Sequence, residues 1–188
     1  MKVQELAPGL WRWTAPHPAW TEGSDWPREV GSVYYEAPEE IVLFDPQLPT
    51  DRAAFLAALD RDVERVGRVA ILLTVRWHAR SAFELAERYG GRLGGPVAGV
   101  EELPLPEVGE TAYWLPAHAA LVIGESLFGH GTGGLALCPD TWVEGERRRA
   151  LRFSLRSLLE LPVERVLVAH GEPVLSGGRA AVERALSA

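Results

Sequence analysis

The segment VAILLTVRWHAR, residues 69–80, decides the fold class of this chain. Its first seven residues form an apolar run that only Thr74 interrupts, which is typical of a strand buried on both faces of a sheet. Ahead of this segment, a helical pattern begins after Pro49-Thr50-Asp51 and ends at Gly67. A second helix is predicted after the segment, over residues 81–89. A buried strand between two helices predicts a layered α/β architecture.

The rest of the chain continues this alternation. Apolar and β-branched runs predict strands at residues 9–14, 30–35, 41–44, 111–115, 119–123 and 165–169. Helices are predicted at residues 146–161 and 178–187, residues 129–134 (GHGTGG) predict a glycine-rich loop, and residues 92–109 give no clear assignment. Because no linker or repeat divides the chain, residues 1–188 are predicted to form one domain.

Composition and charge restrict the partners and the compartment. The formal net charge is −7, and the arginine triplet at residues 147–149 is the only basic cluster, so we expect no nucleic-acid partner. No signal-peptide pattern and no apolar run of about 20 residues is present, so we expect no membrane segment. Cys138 is the single cysteine, which excludes an internal disulfide and favours a cytoplasmic protein. Lys2 is the only lysine, which indicates a GC-rich coding sequence, and we expect a bacterial source.

Four apolar strands end in polar residues that could carry chemistry. They read IVLFD at residues 41–45, AILLT at 70–74, ALVIGESL at 120–127 and VLVAHGEP at 166–173. In order and spacing these motifs resemble the metallo-β-lactamase superfamily over nearly the whole chain. The resemblance implies an αββα four-layer sandwich and a metal site at the strand ends.

The turn after Thr74 departs from that family. The family has Thr-His-x-His-x-Asp-His there, whereas this chain continues VRWHAR. On this alignment the first two histidines have no counterpart, His78 replaces the last histidine, and Trp77 replaces the aspartate. The histidine that normally precedes the Gly-Asp strand has no clear match, since His118 lies too close to Glu125. The resemblance therefore implies that the site for the first metal is lost.

Three residues could rebuild the site for the second metal. On the resemblance these are His78, Glu125 and His170, and Glu125 stands where the family has a shorter aspartate. Histidine and carboxylate ligands suit a single zinc ion, with iron or manganese as alternatives, and no metal at all is the other expectation. Each residue also has a structural interpretation: a hydrogen-bonded histidine for His170, a helix-start histidine packed on Trp77 for His78, and a turn carboxylate for Glu125.

Four further residues are expected near the pocket. Asp45 is interpreted as a buried acceptor that holds the turns near the site, with direct ligation as the alternative. Trp77 belongs to the altered turn, His130 to the glycine-rich rim, and His17 to an aromatic loop. The tryptophans near the N-terminus favour core packing or a homodimer interface over an aromatic substrate pocket.

Two functions remain open at this point. The first is a mononuclear metal-dependent hydrolase of a small ester or thioester. The second is a divergent member of the fold that has lost the dinuclear site and acts as a non-catalytic or binding domain, with a small molecule as its ligand. The missing histidines favour the second function, and whether the chain is an enzyme stays open.

Overall fold

Twelve strands and four helices make up residues 2–188, the part of the chain that the computed structural model describes. They fall into two units. The first unit ends at Val100, and the second unit comprises Glu101–Ala188. The prediction of a single domain is not tested by this division and stays a prediction.

A six-stranded sheet is the framework of the first unit. Its strands are hydrogen-bonded in chain order: β1 (Lys2–Ala7), β2 (Leu10–Pro16), β3 (Glu29–Glu36), β4 (Ile41–Phe44), β5 (Val69–Leu72) and β6 (Arg92–Leu93). The first four strands pair antiparallel, whereas β4, β5 and β6 run parallel. Parallel pairing places the ends of β4 and β5 at the same edge, with Phe44 beside Leu72.

Two helices pack on this sheet. They are α1 (Arg52–Val66) and α2 (Ala82–Tyr89), joined to the sheet by a cluster of apolar side chains that includes Ile41, Leu43, Leu59, Ile71 and Leu85. Helix α1 ends at Gly67, whose φ of 88° lies in the left-handed region where a side chain would be strained. A 3-10 turn at Arg76–Ala79 connects β5 to α2.

The second unit has its own sheet and core. Strands β7 (Glu101–Leu105), β8 (Glu110–Leu115), β9 (Ala120–Ile123) and β12 (Arg165–Val168) are ordered β12-β9-β8-β7, with β12 and β9 parallel. Strands β10 (Leu127–His130) and β11 (Gly134–Leu137) form a separate hairpin. Helices α3 (Gly145–Arg156) and α4 (Gly178–Ser187) contribute Leu151, Leu155 and Val182 to an apolar core with Leu121 and Val166.

Most sequence predictions of these elements are confirmed. The predicted strand at residues 41–44 and helix at 178–187 have the predicted bounds, and the predicted strand at 69–75 ends at Leu72. The predicted loop at residues 129–134 is instead the turn of the β10–β11 hairpin, because Gly131 and Gly133 take positive φ values between two paired strands. Strand β1 had no sequence prediction, since none of its residues is buried and its pattern is weak.

Within residues 2–188, no helix combines the length and the hydropathy that crossing a bilayer requires.

Candidate metal centre

The first unit places His78 in a buried polar cluster. His78 lies on the 3-10 turn after β5, and its side chain is buried. Asp45, at the end of β4, accepts hydrogen bonds from the Thr74 backbone N–H (2.8 Å) and the Thr74 hydroxyl (2.5 Å). Its Oδ2 also lies 2.9 Å from His78 Nδ1. The turn that carries His78 is therefore held to the end of the neighbouring parallel strand.

The charge on Asp45 fixes the orientation of the His78 ring. Burial alone would raise the pKa of Asp45, but the His78 ring, its hydrogen bond and the nearby Arg80 charge hold that pKa below its ordinary value. An ionised carboxylate can only accept, so His78 donates its Nδ1–H to Asp45, and in the neutral ring this tautomer carries the lone pair on Nε2. A carboxylate behind the ring is the usual way in which proteins orient a metal-binding histidine.

The residues beside His78 do not supply further ligands. Val75 is buried, Arg76 is exposed, and Trp77 is 54% exposed on the same turn. Asp45 has a φ of 46°, a left-handed conformation that aspartate tolerates better than most residues. Its carboxylate serves as an acceptor for the turn, which agrees with the interpretation of Asp45 as a residue that holds the turn.

In the second unit, a buried carboxylate fixes the segment that bears Glu125. Glu110, at the start of β8, accepts hydrogen bonds from the backbone N–H groups of Gly124, Glu125 and Ser126, and from the Ser126 hydroxyl. Burial raises the pKa of Glu110, while these hydrogen bonds act in the opposite direction. The chain is thus held rigidly where β9 ends and Glu125 leaves the sheet.

His170 follows the neighbouring parallel strand β12 and meets Glu125. Its Nε2 lies 3.4 Å from Glu125 Oε1, and both side chains are buried. The Phe128 ring lies 4.8 Å and the Trp142 ring 6.3 Å from the His170 ring, measured between centroids. Aromatic packing of this kind fixes the imidazole and keeps water away from its sides.

The remaining predicted residues lie outside these two clusters. His130 is exposed at the end of β10 in the hairpin. His17 lies in the loop between β2 and β3, where its Nδ1 accepts the Ala19 N–H and its ring meets the edge of Trp26. Cys138 is buried.

Sequence reasoning missed the residues that support the candidate ligands. Glu110 begins an ordinary apolar strand, and Phe128 and Trp142 are separated from His170 by many residues. No local pattern distinguishes such residues from ordinary core or turn positions. Thr74 was a partial exception, because a hydroxyl residue at the end of an otherwise apolar run indicates a polar contact there.

Comparison with known proteins supports the fold. No protein-family model and no curated protein matches the chain. Among solved structures, it is similar to metallo-beta-lactamase IND-7, with 15% identity, 100% of this chain and 98% of that chain covered, and a TM-score of 0.66. A metallo-beta-lactamase from Erythrobacter litoralis gives 14% identity, 98% and 90% coverage and a TM-score of 0.62.

A metallo-beta-lactamase family protein from Thermus thermophilus is also similar, with 17% identity, 97% and 80% coverage and a TM-score of 0.56. These alignments run through nearly the whole chain, so both units take part in the likeness. The chain has the metallo-β-lactamase fold.

Proposed function

We propose that this protein binds a single metal ion through His78, Glu125 and His170 and uses it to hydrolyse a small ester or thioester. The fold is that of metallo-β-lactamases, as the comparisons indicate. Two histidines and one glutamate form a ligand set found in catalytic zinc sites, where a fourth position stays open. All three side chains are buried, as expected of ligands rather than of surface histidines and carboxylates.

The observation that carries the proposal is the distance between His170 and Glu125. Two ligand atoms bound at about 2.0–2.1 Å on a tetrahedral zinc ion lie about 3.4 Å apart. His170 Nε2 and Glu125 Oε1 have that separation, which is long for a hydrogen bond. The separation of these two ligand atoms therefore suits a tetrahedral zinc ion without movement of either side chain.

The orientation of His78 supports the same ligand set. Because Nδ1 donates to Asp45, Nε2 is the atom that could bind a metal. His170 also faces Glu125 with its Nε2, so both histidines would bind through the same nitrogen. Asp45 and Glu110 act as positioning residues, since the first fixes a ring and the second fixes a ligand-bearing turn.

The chain's own residues define what the site can do. A bound zinc ion supplies a Lewis acid and lowers the pKa of water to about 7. Phe128 and Trp142 limit the access of solvent around His170. Trp77, exposed beside His78, presents an apolar surface on which the acyl part of an ester could rest.

Metal content tests the proposal directly. The protein is purified without chelators, and zinc, iron and manganese are measured by mass spectrometry. We expect about one equivalent of metal per chain, and less than about a tenth of an equivalent after His170→Ala or Glu125→Ala. His130→Ala is the matched control, because it removes an exposed histidine from the same unit. Metal below about a tenth of an equivalent in the parent protein, unchanged after soaking in each metal, would overturn the proposal.

Hydrolysis is measured on the same preparations. We expect cleavage of p-nitrophenyl acetate or S-phenyl thioacetate that is lost after dialysis against a chelator and restored by zinc. His78→Ala should abolish this activity, which tests whether His78 belongs to the ligand set. Activity that survives the chelator would contradict metal-dependent hydrolysis.

The second candidate is a non-catalytic binding domain. The Asp45, Thr74 and His78 side chains already form hydrogen bonds with one another, which favours a structural role for this cluster. A protein that holds neither metal nor esterase activity, yet loses stability when Asp45 is replaced, would support this candidate over the first.

A further inference from the structure

A polar cavity lies in the first unit; His17 is among its lining residues, whereas Asp45, Thr74 and His78 are not. Its volume is about 550 Å³, which is within the range of small-molecule sites. The cavity lies between the loop after β2 and the starts of both helices. Its lining includes Trp20, Arg28, Gln47, Arg52, Ser81 and Glu84. Prolines from both flanking loops complete its apolar wall.

Two helix starts meet at this cavity. Arg52 begins α1, and Glu84 lies in the first turn of α2. Neither helix has a side-chain hydrogen bond at its N-cap, because Asp51 makes none and the Ser81 hydroxyl accepts the Leu48 N–H instead. Uncapped N–H groups at helix N-termini favour a bound anion.

The charges around the cavity also favour an anion. Arg52 and Glu84 form an ion pair that joins the two helix starts and leaves no net charge. Arg28 has no ion pair or side-chain hydrogen bond with any other residue in the range 2–188. The lining therefore carries one uncompensated positive charge, that of Arg28. The planar guanidinium of Arg28 suits a carboxylate.

Gln47 indicates that the ligand also carries a hydrogen-bond donor. Its side chain is more than nine-tenths buried, and its Oε1 has no partner among residues 2–188. The amide cannot be reversed, because its Nε2 donates to the Leu48 carbonyl at 3.0 Å. A buried acceptor without a donor costs free energy, which a hydroxyl on a ligand would recover.

We propose that this cavity, lined by Arg28, Gln47 and the N-terminal turns of α1 and α2, binds a small 2-hydroxycarboxylate with an apolar side group. The carboxylate meets Arg28 and the helix N–H groups, the hydroxyl donates to Gln47, and the apolar group packs on Trp20. The cavity site does not depend on the proposed hydrolase function.

Three matched compounds test the chemistry. Mandelate has the carboxylate, the hydroxyl and an apolar ring; phenylacetate lacks the hydroxyl; 1-phenyl-1,2-ethanediol lacks the carboxylate. Binding is measured by calorimetry and ligand-observed NMR on the full chain with excess EDTA, so that chelation of a metal ion cannot contribute. We expect mandelate to bind, phenylacetate to bind roughly tenfold more weakly, and the diol to show no measurable binding.

Variants locate the site. Arg28→Gln should weaken mandelate binding about tenfold or more, whereas Arg184→Gln, the same change at an exposed position of α4, should have no effect. Gln47→Leu should remove the preference for mandelate over phenylacetate. Failure of mandelate to bind at millimolar concentration, equal binding of the diol, or unchanged binding in Arg28→Gln would each overturn the proposal.

Discussion

At the scale of single residues, two buried carboxylates hold the proposed ligands in place. Asp45 accepts from Thr74 and faces His78 Nδ1, and Glu110 accepts from three consecutive backbone N–H groups around Glu125. Both act through hydrogen bonds rather than by touching a reacting atom. Buried acceptors with several donors are expensive to remove, because each donor then loses its partner.

Asp45→Asn should weaken zinc binding by about 10- to 100-fold. The amide can donate to His78 Nδ1, which would move the ring proton to Nε2 and block the proposed ligand atom. Zinc affinity is measured by competition with a chromophoric chelator. Asp60→Asn, which makes the same change at a partly exposed carboxylate on α1, serves as the control. Equal losses in both variants would contradict a specific role for Asp45.

Glu110→Gln should destabilise the protein by about 2 kcal/mol. The glutamine amide points a donor toward the Ser126 N–H or hydroxyl, where the parent residue accepts hydrogen bonds. The free energy of unfolding is measured in urea, with exposed Glu102→Gln on β7 as the control. An unchanged urea midpoint in Glu110→Gln would show that the turn does not depend on this carboxylate.

At the scale of elements, the ends of parallel strands bear the proposed ligands and close packing keeps them there. In the second unit, the Gly129 N–H donates to the His170 carbonyl at 2.9 Å. The backbone of β10 approaches the loop after β12 so closely that a Cβ on Gly129 would overlap the Glu172 backbone. The hairpin thus supports the segment that carries His170.

Gly129→Ala should cost about 1–3 kcal/mol, because the added methyl group must displace backbone atoms rather than a flexible side chain. The displacement would move His170 and should also weaken zinc binding. Gly23→Ala is a suitable control, since a Cβ there meets only Thr21 Oγ1 at 4.0 Å. Urea unfolding and chelator competition are measured on both variants, and a neutral result for Gly129→Ala would contradict the close packing.

The contact between α1 and α2 gives a prediction for alkaline pH. Burial and the hydrogen bond to Asp60 raise the pKa of Tyr89 from 10.0 to about 12. The folded chain then retains the phenol proton to higher pH than the unfolded chain. Stability should therefore fall as the pH rises from about 10 to about 12.

Tyr89→Phe should remove one late-titrating phenol and reduce this loss of stability. Phenolate formation is followed by near-ultraviolet absorbance, and unfolding midpoints are compared at neutral and alkaline pH. A titration curve identical to that of the parent protein would show that Tyr89 is not the residue with the raised pKa.

At the scale of the whole molecule, the chain divides into two units, each of which contains an apolar core. The sequence predicts one domain, and a domain of this size should unfold cooperatively. We expect peptides from both units to lose protection at the same urea concentration in pulse-labelling hydrogen exchange. Zinc at about 100 times its dissociation constant should raise the free energy of unfolding of both units by about 2.7 kcal/mol if the proposed ligand set is correct. Separate midpoints for the two units would contradict the prediction of one domain.

The sequence by itself determined the four helices and most of the longer strands. The apolar run at residues 70–72 and the helical spacing of residues 52–66 are local patterns, and local burial enforces them. The order of four strand ends was enough to identify the metallo-β-lactamase fold. The resemblance of these strand ends to the family also named Asp45, His78, Glu125 and His170.

Only the tertiary structure determined how these residues are held. Glu110 contacts residues 124–126 because β8 and β9 pair in the sheet, and Phe128 and Trp142 reach His170 through packing. The cavity beside Gln47 likewise arises where two helix starts and a loop meet. Hydrogen bonds and ring contacts between residues far apart in the chain leave no periodic signal in it. Their geometry is set by the packing of whole elements.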